Sequence, residues 1–230
     1  VTDPEALGDQ LDEVVRRFEA GGEQPDILRG GAASATKLAK WRKRFPAPES
    51  VHFGHNRDLN AMAIGRFGFV VLKGQRKNFA PFAFYFVKDG EGMRLDWEAS
   101  EGFSEILPQE VPKLRDREPR MMRVMINGSN FYTDIFPEER YQCYTLQHLD
   151  PAEYVWAYAE RDGETDFKLR LRVLQRSPWG NQRRAVVTVR RGPEGSRPNQ
   201  VEVLDLLHGD WIIPSASGPD TDQSPDNSTK

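Results

Sequence analysis

The eleven residues MRLDWEASEGF, Met93 to Phe103, decide how the rest of the chain is read, because a strongly patterned segment ends there and a differently built half follows. In its first six residues apolar and charged side chains alternate. A period of two puts Met93, Leu95 and Trp97 on one face of a strand and Arg94, Asp96 and Glu98 on the other. Trp97 is the largest side chain on the inner face, where truncation of such a residue to Ala costs about 3–5 kcal/mol. Asp96 and Glu98, flanking that tryptophan, form either a carboxylate pair for acid–base chemistry or a solvated face. The second reading is favoured, since enclosed carboxylates are the informative ones.

Working backward, Asp89-Gly90-Glu91-Gly92 turns the chain into this strand, and 79–87 (FAPFAFYFV) and 61–72 (AMAIGRFGFVVL) read as two earlier strands. The strand at 79–87 is apolar on both faces, which predicts a central position under the helices that precede it. Leu7, Leu11, Val14, Val15 and Phe18 recur at helical spacing between a capping box at Thr2 to Glu5 and the stop Gly21-Gly22. Ser34 or Thr36 caps a second helix whose stripe is Leu38, Trp41 and Phe45, with Lys37, Lys40, Arg42, Lys43 and Arg44 on its solvated side. Residues 1–103 are thus an α+β domain, helices on one face of an antiparallel sheet. In element order it resembles the nuclear-transport-factor-2 (NTF2) and cystatin folds.

Working forward, Pro108, Pro112 and Pro119 mark 104–119 as a Pro-rich connector with at most one short helical turn. Five strands follow, at 121–126, 140–148, 153–160, 183–191 and 200–207. Segment 165–175 (TDFKLRLRVLQ) fits both periods and is assigned as a helix for its good helix formers and its Thr165 or Asp166 cap. The order β-β-β-α-β-β over 120–213 resembles the five-stranded oligonucleotide/oligosaccharide-binding (OB) barrel, in which a helix sits between the third and fourth strands. The final residues, 214–230, have almost nothing to bury and are expected to be disordered.

Composition narrows the function. A chain of 230 residues has room for one large domain or two ordinary ones, and its net charge of −3 supplies no global field for nucleic acid. One cysteine, Cys143, excludes an intrachain disulfide and leaves the compartment open. No apolar run reaches the roughly 18–20 residues of a spanning helix. The start at Val1 rather than Met points to a trimmed N-terminus, so no membrane insertion is expected of the chain as it stands but an anchor has room to precede it.

Four constellations are candidates for chemistry. Ser34-Ala35-Thr36-Lys37 spells S-x-x-K, yet it lacks the companion motifs of serine acyl-enzymes, and a helix cap accounts for it. His52 and His55, with Asp58 nearby, offer too few ligands at too loose a spacing for zinc, and no metal or cofactor is expected. Tyr154, Trp156 and Tyr158 share one parity on a strand leading to Glu160-Arg161-Asp162, which suits either a stacking face or a barrel interior. The interior is favoured. Arg183, Arg184, Arg190, Arg191 and Arg197, with Trp179 near, are the dense basic cluster of the second half. They suit phosphate contacts, though a solubilising strand edge is the stronger reading.

Taken together, LDWEAS (95–100), RYQCY (140–144), the segment from Tyr154 to Arg161, NQVEV (199–203) and Trp211 resemble a group of uncharacterised bacterial proteins that share a DWE-S strand end, a Y-x-C-Y strand and a late NQVE strand. The resemblance implies a membrane-associated bacterial protein, many of the group carrying an N-terminal anchor. The leading expectation is a non-enzymatic binding or scaffold module with a protein partner, its ligand-binding candidates Tyr154, Trp156, Tyr158, Trp179, Arg183, Arg184 and Arg190. One alternative is single-stranded nucleic-acid binding through the barrel. The other is a small-molecule enzyme using the cone of the first domain, with His52, His55 or Asp96 as acid or base.

Overall fold

The structure is a computed structural model that describes residues 4–21, 24–46, 58–64, 67–75, 81–89, 92–148, 152–162, 168, 170–171 and 183–214. Thr2, His52, His55, Trp179 and the segment 215–230 lie outside them, so the first cap, the histidine pair and the tail are not placed. The fold is mixed α+β, with a four-stranded antiparallel sheet followed by a five-stranded one.

Helices α1 (Pro4–Ala20) and α2 (Gly31–Arg44) precede strands β1 (Asp58–Ile64), β2 (Phe67–Gln75), β3 (Pro81–Asp89) and β4 (Gly92–Asp96), which pair in chain order, so the stretch 61–72, expected as one strand, is shared between two antiparallel ones. Leu11, Val15 and Phe18 of α1 and Trp41 of α2 pack on Leu72, Phe84, Phe86 and Leu95, as the helical stripes predict. Helix α2 starts four residues earlier than its Ser34 cap implies. Gly30 takes the N-cap at φ 81, a backbone conformation glycine adopts without strain, and Ser34 lies inside the helix, buried.

β3 is buried on both faces, but the helices cover one only. Phe82, Phe84 and Phe86 meet them, while Ala83, Tyr85 and Val87 pack against Trp211 and Ile212 from the far end of the chain.

The strand in MRLDWEASEGF stops at Asp96, two residues short of the expected end. The Asp96 carboxylate accepts the Ala99 amide at 3.0 Å and so caps a short helix, α3 (Trp97–Glu101). An aspartate offers the backbone this local bond in place of the next ladder pair. Trp97 is fully buried as expected, its indole N–H donating to the Ser34 hydroxyl at 2.7 Å. Asp96 is buried too, while Arg94 and Glu98 are half-buried, so the outer face of this segment is solvated only in part.

The second half contains β5 (Arg120–Ser129), β6 (Tyr141–Gln147), β7 (Tyr154–Glu160), β8 (Arg183–Arg191) and β9 (Gln200–His208). Each predicted strand is present. They pair in the order β5-β6-β7-β9-β8, and β8 returns to β5, with β7 and β9 parallel and the other pairs antiparallel. Lys168, Arg170 and Leu171 are helical, and Leu171 is buried among the interior side chains, so this much of the ambiguous segment is helix. Met122, Val124, Leu146, Val155, Ala157, Val187, Val201 and Val203 fill the interior.

The connector is bound to both halves. Leu107 enters the first core, Ile106 and Val111 the second, and a 3-10 turn over Pro108–Lys113 joins them. At its start Gly102 closes α3 at φ 65, its carbonyl accepting from His148 Nε2 at 2.7 Å. A Cβ on Gly102 would meet His148 Nε2 at 2.9 Å and the Trp211 ring at 3.1 Å. Gly102→Ala therefore combines left-handed strain with a clash between two rings, and thermal unfolding should show a loss of about 1–3 kcal/mol.

Candidate functional site

Two regions bring functional side chains together, one on the outside of the second sheet and one in the cleft between the halves. On β7 the interior face is Val155, Ala157 and Ala159. Tyr154, Trp156 and Tyr158 consequently point outward, which overturns the interior reading. Val155, Ala157 and Ala159 fit the narrow interior, and the alternate rings are left for the outside.

The outward rings are partly covered by the β5–β6 connection. Phe131 stacks on Trp156 at 4.6 Å and Phe136 on Tyr158 at 3.9 Å, the latter closed edge-on by Tyr141. Tyr158 is buried here. Its hydroxyl donates to the Phe131 carbonyl at 2.9 Å and accepts from Gln200 Nε2 at 2.8 Å. Burial pushes the Tyr158 hydroxyl and the Cys143 thiol above their ordinary pKa ranges. Cys143 is thus held as a thiol, without the electropositive setting of a reactive one.

Tyr154, 39% exposed, meets Trp156 edge-on at 5.2 Å. The Arg197 guanidinium, on the β8–β9 connection, lies 5.0 Å over the Phe131 ring, and Arg161 donates to the Tyr132 hydroxyl at 3.3 Å. The outcome is a shelf of half-exposed rings, Tyr154, Trp156, Phe131 and Tyr132, with a cation at either side. Sequence reading found the β7 rings and missed Phe131 and Tyr132, although NFYTDIF (130–136) is an aromatic-rich connection in plain view.

Of the basic cluster, Arg197 reaches this shelf, while Arg184 and Arg190 are engaged elsewhere. Arg190 donates to Glu202 at 2.5 Å, and Arg117 reaches the same carboxylate. Arg184 donates to the Tyr85 hydroxyl at 2.6 Å and lies 4.4 Å over the Trp211 ring. Arg184 is thereby a bolt between the two sheets, reinforced where Tyr85 donates to Asp210 at 2.6 Å. Arg183 is exposed at the start of β8.

In the cleft, each acidic residue of α3 and its cap meets a cation. Asp96 pairs with Arg29 at 2.6 Å, Glu98 with Lys37 at 2.7 Å, and Glu101 with Arg42. Lys37 and Arg42 are therefore not simply a solvated face of α2. Arg123, from β5, is 2% exposed and donates to the carbonyls of Trp211 (2.8 Å) and Phe103 (2.7 Å). Both oxygens of Asp96 are engaged, Oδ1 by the Ala99 amide and Oδ2 by Arg29, which is the arrangement of a structural carboxylate.

Among the described residues no group of three His, Cys, Asp or Glu side chains is placed to hold a metal ion, and no helix is long and apolar enough to cross a membrane. No model of a known protein family and no curated protein matches the sequence.

Burial holds the His148 pKa below its ordinary 6.5, against the opposing pull of the Gly102 carbonyl, and burial lowers His208 as well. A base whose folded pKa is depressed binds fewer protons folded than unfolded, so stability is full above the unfolded pKa and falls as pH drops toward the folded one. Denaturant unfolding should therefore show stability declining below about pH 6.5. His148→Gln, which keeps a donor for Gly102, should flatten that decline and leave the share due to His208.

Proposed function

We propose that the protein is a non-enzymatic binding module that engages a segment of a protein partner on the aromatic shelf formed by β7 and the β5–β6 connection, beside the β8–β9 connection. The observation that carries this reading is the outward orientation of Tyr154 and Trp156 while small aliphatic side chains fill the interior behind them. A tyrosine left 39% exposed beside a half-exposed tryptophan and two guanidinium groups is the composition of an interface hot spot.

The finer fold reading belongs to the same proposal. The order 1-2-3-5-4, a helix after the third strand and a parallel third-to-fifth pairing are features of the OB barrel, whose ligands take the face of strands two and three and the two flanking connections. Helices on one side of a four-stranded antiparallel sheet favour the NTF2/cystatin comparison for the first half. The sequence resemblance adds membrane association in a bacterial envelope.

Single-stranded nucleic acid is the second reading, supported by ring stacking with Arg197 at hand. Against it stand the net charge of −3 and the engagement of Arg184 and Arg190 within the protein, which withdraws two of the five clustered arginines from phosphate contact.

The test replaces Tyr154 with a photo-crosslinking phenylalanine derivative in the full chain, expressed in its native organism. One defined protein adduct is expected, and Tyr154→Ala or Arg197→Ala should weaken its isolated complex about tenfold or more without shifting the melting temperature. Failure to form an adduct, together with oligo(dT) binding that weakens steeply with salt, would replace the protein partner with nucleic acid.

A further inference from the structure

The open cleft between the halves has a volume of about 400 Å³ and is lined by Arg29, Ser34, Lys37, Asp96, Glu98 and Arg123, with Ala33 at its exposed rim. That volume is within the range of small-molecule sites, roughly 300–1,000 Å³. Three of the lining side chains are cations and two are carboxylates, a surplus of one positive charge.

The unbalanced group is Arg123. Its Nε and Nη1 each have a carbonyl at 2.7–2.8 Å, whereas the Nη2 contact among the described residues is Glu98 Oε2 at 3.5 Å. A charge-assisted bond of this type is ordinarily about 2.7–2.9 Å long. A guanidinium almost wholly removed from water therefore lines the cavity, with Nη2, beside Glu98, its least satisfied nitrogen. Gly30, the N-cap of α2, also lines the cleft, and no side chain caps that first turn, which leaves the positive end of a fourteen-residue helix at the cleft. The Asp96 charge is offset by Arg29 and the Ala99 amide, and Lys37 keeps donors beyond the one Glu98 takes.

We propose that this cleft binds a small molecule through a compact oxyanion, a carboxylate or a phosphate, which bridges Arg123 and Lys37 at the opening of α2. The site lies apart from the aromatic shelf and does not depend on its partner.

The experiment titrates the full chain, at low ionic strength and against a chloride control, with acetate in one arm and inorganic phosphate in the other, followed by amide and Arg Nε–H NMR. Saturable shifts confined to residues 30–34, Glu98 and the Arg123 side chain are expected, and the arm that saturates at lower concentration identifies the oxyanion. Ala33→Glu sets a carboxylate at the rim on an exposed helical position and should lower the affinity about tenfold or more at unchanged melting temperature, with Ala33→Gln binding like the parent. The absence of saturable shifts in both arms, shifts scattered over the surface, or equal binding by Ala33→Glu would each overturn the proposal.

Discussion

A guanidinium cannot be taken out of water without replacing its hydrogen bonds, and Arg123 finds its replacements on two distant stretches of chain. One is the Phe103 carbonyl, just past α3, and the other is the Trp211 carbonyl, just past β9. Neither half can present both. Trp211 in turn donates its indole N–H to the Val124 carbonyl, next to Arg123, and stacks on His148, which donates to Gly102. The end of MRLDWEASEGF and the exit from the last strand are thus closed around one another, and the cost of burying a charge is met only when both are in place.

The remainder of the architecture follows from that closure. With Trp211 and Ile212 carried back onto the first sheet, β3 loses both faces to packing, one to the helices and one to the second half. Tyr85, on the inner side of that contact, is bonded to Asp210 and Arg184, so a strand of each sheet shares one polar link. What the proline spacing suggests is a linker, residues 104–119, instead contributes Ile106, Leu107 and Val111 to the two cores. The halves have their own interiors and a common joint.

Periodicity carried the reading a long way where one face is buried and the other wet. The stripes of α1 and the five strands of the second half are of that kind, because a period of 3.6 or 2 is imposed by burial itself. It failed where a side chain's partner is remote or where both faces are apolar. Asp96 looked like the outer face of a strand, yet an aspartate three residues before an amide it can reach is also a cap, and Arg29 completes it. On β7 the parity of the rings was plain, but the choice between inside and outside turned on the small Ala157 and Ala159 and on Phe131 and Phe136 arriving from another connection. Arg123 was visible as an arginine inside the apolar run MMRVMI, a placement that makes sense only if its charge is met within the protein.

The aromatic shelf and the charged cleft flank the same joint, the half-exposed rings of β7 and the β5–β6 connection on one side, and on the other the space lined by α2, Asp96, Glu98 and Arg123. On these contacts Arg123 makes one cooperative unit of the two halves. Calorimetry of the parent chain and of Arg123→Met, with tryptophan fluorescence and far-ultraviolet circular dichroism as parallel probes, distinguishes one unit from two. The parent should unfold in a single transition on which the probes agree, and the variant should lose about 3–5 kcal/mol and separate into two transitions. A variant that melts with the parent, in one step, would contradict the claim.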